Sequence, residues 1–136
     1  MFYAFNKNEK SGQSTRLPGG VAIKATDQVA HRVSATGHDE SGLGRWTWMS
    51  IQGKGNHLLR IVTGYRPCEA PGVSTTYQQQ QRFFRSHSDN RDPRTAFYED
   101  LFHQVNLWKQ NGDNLIMGWM QTKIYELETQ KHFLGQ

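Results

Sequence analysis

The chain has 136 residues, 16 Lys+Arg against 12 Asp+Glu, a formal net charge of +4 and 35% hydrophobic residues. That length fits one domain, and no apolar run approaches the ~20 residues a membrane-spanning helix needs. Its one cysteine, Cys68, excludes an internal disulfide and a cysteine-based zinc site, while the mild basic excess suits a weak DNA or RNA partner.

The first twenty residues open on Phe2, Tyr3 and Phe5 and then turn polar, which predicts a surface loop. They carry neither a basic n-region nor a sustained apolar h-region, so an intracellular location, cytoplasm or nucleus, is expected. Pro18-Gly19-Gly20 punctuates the loop, and Val21–Ala25 follows as a short strand with Val21, Ile23 and Ala25 on one face. A second short strand is expected over Val29–Val33, then a polar loop from Ser34 to Gly44.

The strongest pattern comes next. Arg45–Gln52 places Trp46, Trp48 and Ser50 on one face and Thr47, Met49 and Ile51 on the other, a composition that suits a pleated, half-buried strand. Gly53-Lys54-Gly55-Asn56 supplies a tight reversal. The return strand, His57–Tyr65, contains the apolar run Leu-Leu-Arg-Ile-Val expected of a strand covered on both faces, and Pro67 stops it. Ser74 can cap a helix running through Phe84. Asp92-Pro93 starts a longer helix on which Phe97, Leu101, Val105 and Trp108 recur at i, i+4, i+8 and i+11. Gly112 ends it, and Leu115–Trp119 reads as a buried strand. Strands, a helix with one apolar face and a further strand predict an α/β layered fold.

These residues resemble a family. A lead-in of Asp39, Glu40, Ser41, Gly42, Gly44 and Arg45, a hairpin, a strand ending in Tyr65-x-Pro67, and then the Thr-Tyr-Gln-Gln and Asp-Pro-Arg-x-x-Phe helices are similar to the endonuclease/exonuclease/phosphatase domain. The likeness is to the versions carried by retroelement-like reading frames. It covers residues 6–118 and implies part of a layered β-sandwich flanked by helices, with the long hairpin at its centre. It also implies Mg²⁺-assisted phosphodiester hydrolysis at a carboxylate-held metal. Of the family's site residues, only the tyrosine after the hairpin carries over, as Tyr65.

The family's Asp-x-Asn segment should follow Gly118, where the chain has Trp119, Met120 and Gln121. Neutral Trp119 and Gln121 cannot replace a metal-binding carboxylate. Back-translating Gly118–Glu126 and reading two bases later permits Met-Asp-Ala-Asn, which implies a frameshift near Gly118 and an out-of-frame tail over 119–136. The expectation is therefore an incomplete nuclease-type domain without catalytic competence, holding no metal as it stands. The alternatives are one part of a split active nuclease and a non-catalytic module that binds nucleic acid or protein. Sheet surfaces without their usual covers would favour self-association.

Other candidates read less specifically. Arg45, Lys54, Arg60 and Arg66 form either a phosphate-facing strip or a solvated hairpin edge protected from aggregation by its charges. His31, His38, His57, His87, His103 and His132 show no metal-ligand spacing. Cys68 reads as a small packing residue with no base beside it.

Overall fold

The computed structural model describes the backbone of residues 2–7 and 20–120 and the side chains of 20–118. The elements in chain order are β1 (Phe2–Lys7), β2 (Gly20–Ala25), α1 (Asp27–Ala30), β3 (Val33–His38), β4 (Trp46–Gln52), β5 (Leu58–Tyr65), α2 (Thr76–Ser86), α3 (Pro93–Gln110) and β6 (Asn114–Met120). Strands β3-β4-β5-β6 form one sheet, antiparallel except for the parallel pair β5/β6. β1 and β2 form a separate antiparallel ribbon. The described residues make an α/β fold.

The hairpin organises the sheet as its sequence predicts. Trp46 pairs with Gly64, Trp48 with Val62 and Ser50 with Arg60, on the face that receives α3. There Trp46 and Val62 are buried with Phe97, Leu101, Val105 and Trp108 of the helix, so the predicted apolar stripe is the helix's contact with the sheet. Trp46 meets Phe97 edge-on at 6.0 Å between ring centroids, and Trp48 meets Trp108 in the same way at 6.0 Å. Gly64 permits this closeness, because a Cβ there would sit 3.0 Å from the Phe97 ring. On the opposite face Met49, with Ile51 beside it, packs against Ala25 and Ile23 of the ribbon. The sheet therefore lies between one helix and a two-stranded ribbon, and among the described residues no second large sheet completes a sandwich.

Helix α3 has its expected cap. The Asp92 carboxylate accepts from the backbone N–H groups of Arg94 and Thr95, Pro93 follows, and the chain turns at Gly112. Helix α2 starts one residue later than predicted, because the Thr75 hydroxyl accepts from the Gln78 N–H. The Ser74 carbonyl is engaged instead by the Gln79 side chain at 3.1 Å.

Several expectations are overturned. Phe2–Lys7 is strand rather than loop, pairing with β2 in register from Phe2↔Ala25 to Lys7↔Gly20. The strand expected over Val29–Val33 is replaced by the short helix α1 and the start of β3. The first part of the loop expected from Ser34 to Gly44, up to His38, is β3, an edge strand whose polar, small residues give no apolar alternation. β5 is buried at Arg60, Val62 and Gly64 but only half-buried between them. β6 is not a buried strand, since Ile116 is 38% exposed. The polar stretch 8–19 lies outside the described residues, and of the expected out-of-frame tail only the backbone of Trp119 and Met120 is described.

Trp108 is 4% exposed and touches both Trp48 and the Arg60 guanidinium. Truncation in the variant Trp108→Ala should lower unfolding free energy by ~3–5 kcal/mol in urea titrations followed by circular dichroism. A loss below ~1 kcal/mol would remove α3 from the core.

Candidate functional site

The carboxyl end of β5 is where the sequence placed its candidate residue. Tyr65 is half-buried there, and its backbone N–H donates to the Arg45 carbonyl at 2.7 Å. Because β5 and β6 run parallel, Gly64 lies opposite Trp119 and Tyr65 opposite Met120, so the two strands end side by side. In open α/β sheets ligands gather at such carboxyl ends. Next in sequence, Arg66 lays its guanidinium over the Tyr98 ring at 4.6 Å.

The four basic residues of the hairpin do not form a strip. Arg45 is 3% exposed and its guanidinium grips Asp39 with two hydrogen bonds, Nε to Oδ2 at 2.7 Å and Nη2 to Oδ1 at 3.0 Å. Its Nη1 donates to Asp100 at 2.8 Å, and the group sits over the Trp46 ring at 4.5 Å. Arg60 is also withdrawn from solvent. It donates from Nε and Nη2 to Asp113 at 3.0 and 2.7 Å and is held over Trp48 and Trp108, at 4.1 and 4.7 Å. Lys54 is exposed at the hairpin tip, the far end of β5 from Arg66, a strand length of about 25 Å. Two of the four cations are thus structural, and the other two lie at opposite ends of the sheet.

Around Arg45 the lead-in sequence builds a polar corner. The Asp39 carboxylate also accepts from the Ser41 N–H at 3.1 Å and the Ser41 hydroxyl at 2.6 Å, while the Ser41 oxygen accepts from the Leu43 N–H at 3.2 Å. Asp100 bridges to a second guanidinium, Arg91, which also holds Asp89 and Glu99. Burial works against charge on Arg45, but the hydrogen bonds and attraction from Asp39 and Asp100 outweigh it and raise its pKa. Burial would raise the Asp100 pKa, yet hydrogen bonds from Arg91 and Arg45 hold it below its ordinary value. Hydrogen bonding to Arg91 likewise lowers Asp89. On α2 the Tyr77 hydroxyl donates to Asp92, and this bond is the main reason its pKa is pushed up to about 12.

Sequence reasoning missed Asp39, Asp100 and Asp113 as the partners of the hairpin arginines. Its available signal was the arginine inside the apolar run Leu-Leu-Arg-Ile-Val, a position that water does not reach.

The site was also weighed for the Mg²⁺ that the resemblance implies. At the shared end of β5 and β6 the described side chains are Tyr65 and Arg66, a phenol and a cation. Asp39 and Asp100, at the same end, are bound to guanidinium groups. Among the described residues no group of three His, Cys, Asp or Glu could hold a metal ion. Mg²⁺ requires several hard oxygen ligands in near-octahedral array, and this donor set does not fit it.

Replacing Arg45 by alanine should cost ~3–5 kcal/mol, because Asp39 would remain buried beside Asp100 without its cation. Chemical denaturation at neutral pH measures this, and a change under ~1 kcal/mol would show the pair to be dispensable. Acid has a related effect. Asp100 and Asp89 are held below an ordinary value of 3.8, so their contribution is complete above that pH and is lost as pH falls from there through their lowered values. Urea midpoints should therefore be flat near neutrality and drop below about pH 4, and Asp100→Asn should flatten that drop.

Comparison of the chain with family models, with curated proteins and with solved structures returns no match, so the reading of this site rests on its own geometry.

Proposed function

We propose that this chain carries the central strands of a metal-dependent phosphodiesterase of the endonuclease/exonuclease/phosphatase type and that, as it stands, it does not cleave phosphodiesters. One observation carries the reading. The parallel register of β5 and β6 brings Tyr65 beside Met120, the point at which such a domain presents its metal-binding Asp-x-Asn. There the sequence reads Trp119-Met120-Gln121, which offers no carboxylate. The sheet brings a tyrosine and a strand end to one place, and among the described residues no free carboxylate joins them there. A tyrosine and an arginine can attract a phosphate, yet neither can position and deprotonate an attacking water.

Of the four hairpin cations, Arg66 and Lys54 then remain for residual contact with nucleic acid, since Arg45 and Arg60 are bound to carboxylates. Two separated cations support only weak, salt-sensitive binding.

The purified chain should leave plasmid, abasic-site duplex and RNA uncut in Mg²⁺, with and without chelator. Chelator-sensitive cleavage that Tyr65→Phe abolishes would overturn the proposal and establish an active nuclease. Cleavage indifferent to both chelator and Tyr65→Phe would point to a contaminant and leave the expected inactivity standing.

A further inference from the structure

A groove of about 860 Å³ runs along the outer side of β3, under α3. Trp48 and Trp46 line its base, Asp100 and Gln104 of α3 form one wall, and Thr36, Gly37 and His38 form the other. Its end is closed by Asp39, Glu40 and Ser41. Gly37 is what leaves the groove its aromatic base. A Cβ at that position would lie 2.3 Å from the Trp48 ring, so any other residue would push the indole away.

The backbone of β3 is oriented toward this groove. The Asp39 N–H donates to the Trp46 carbonyl at 3.0 Å, which makes those two residues a hydrogen-bonded pair. Hydrogen-bonded and non-bonded pairs alternate along an antiparallel ladder. The register sets Gly37 opposite Trp48, His38 opposite Thr47 and Thr36 opposite Met49, so Thr36 and His38 turn their N–H and C=O groups away from β4. Among the described residues no strand pairs with that side of β3.

The charge of the lining selects the occupant. Asp39 and Asp100 are matched by Arg45 and by Arg91, which Asp89 and Glu99 also share, so carboxylates outnumber guanidiniums here, and Glu40 is exposed with no ion pair among the described residues. The groove is therefore acidic on a chain of net charge +4. A nucleic-acid backbone is repelled there. A second copy pairing its β3 here would bring a rim of the same charge rather than a cation. A cation, in contrast, would find carboxylates at the rim, the exposed Glu40 among them, which favours lysine or arginine.

We propose that the β3 edge is a docking site for an extended basic peptide segment of a partner protein, added to the sheet as a fifth strand. Main-chain bonds to Thr36 and His38 hold the segment, and every second side chain, a lysine or arginine, projects toward Glu40 and Asp100. This surface lies at the β3 edge of the sheet, two strands from β5, and its occupation is independent of whether the chain cleaves nucleic acid.

The test titrates the full chain into a short fluorescein-labelled peptide of alternating Lys and Val, read by anisotropy at low and physiological salt. A Glu/Val peptide and an alternately N-methylated Lys/Val peptide serve as comparisons. The Lys/Val peptide should bind. The N-methylated form, which cannot extend a sheet, should bind about tenfold or more weakly, as should the Glu/Val peptide. Glu40→Lys should weaken the Lys/Val peptide about tenfold, with Lys54→Glu, at the distant hairpin tip, showing no loss. Thr36→Pro removes an outward N–H without breaking the bonds to β4 and should have the same effect as Glu40→Lys. Equal binding of the N-methylated and unmodified peptides, or insensitivity to Glu40→Lys, would overturn the proposal. So would concentration-dependent dimerisation in sedimentation that Thr36→Pro abolishes, since a second copy would then own the edge.

Discussion

The burial of Arg45 is the constraint around which the other polar groups of this molecule are placed. A guanidinium at 3% exposure is tolerable only if its charge is matched and its donors are met. Asp39 supplies both in a two-point contact, and Asp100 takes a third donor from across the helix interface. Each carboxylate then needs its own neighbours, so Ser41 turns back onto Asp39 while Arg91 reaches Asp100. The result fixes the corner between β3 and β4 to the middle of α3. It also explains how Asp39 and Arg45, at the two ends of the stretch Asp-Glu-Ser-Gly-Leu-Gly-Arg, come to be buried, with Leu43 between them packed against Phe84 and Ala96.

Arg60 repeats the arrangement one strand along. Its partner, Asp113, lies just beyond the end of α3, so one ion pair anchors the middle of that helix to the hairpin and the other its carboxyl end. Both guanidiniums lie over tryptophan, and both belong to the face covered by α3. Arginine suits these positions where lysine would not. Its planar, weakly hydrated head can stack on an indole and present a fork to a carboxylate at once. The aromatic pairs Trp46–Phe97 and Trp48–Trp108 therefore serve two roles, filling the helix–sheet interface and providing the flat surfaces on which the buried cations rest.

What the sequence revealed follows the same division between local and distant causes. The hairpin and α3 were legible because their signals are local: two-residue alternation from Trp46 to Ile51, a glycine-bearing turn, an aspartate–proline start and a four-position apolar stripe. β3 was not, because an edge strand of Ser, Ala, Thr and Gly has its pairing written in β4 rather than in itself. The candidate site divided likewise. Tyr65 at the end of a strand was readable from Tyr-x-Pro, and the register of β5 and β6 adds what lies beside it. The fates of Arg45 and Arg60 were not readable, because Asp100 and Asp113 are 55 and 53 residues away from them. No local pattern joins residues that only the fold brings together.

Net charge is consequently a poor guide to what this surface attracts. The formal +4 counts Arg45, Arg60 and Arg91 as cations, yet each is bound to carboxylates of the same chain. Removing internally matched charges leaves cationic side chains such as Lys54, Arg82, Arg85 and Lys109 exposed on the hairpin tip and the helices, while the groove beside β3 is acidic. An electrostatic partner senses that arrangement rather than the sum, because screening confines each field to about 10 Å. The same burial that stabilises the helix–sheet interface thus withdraws Arg45 and Arg60 from solvent. It also leaves, a strand or two away, an acidic slot whose charge suits a basic chain.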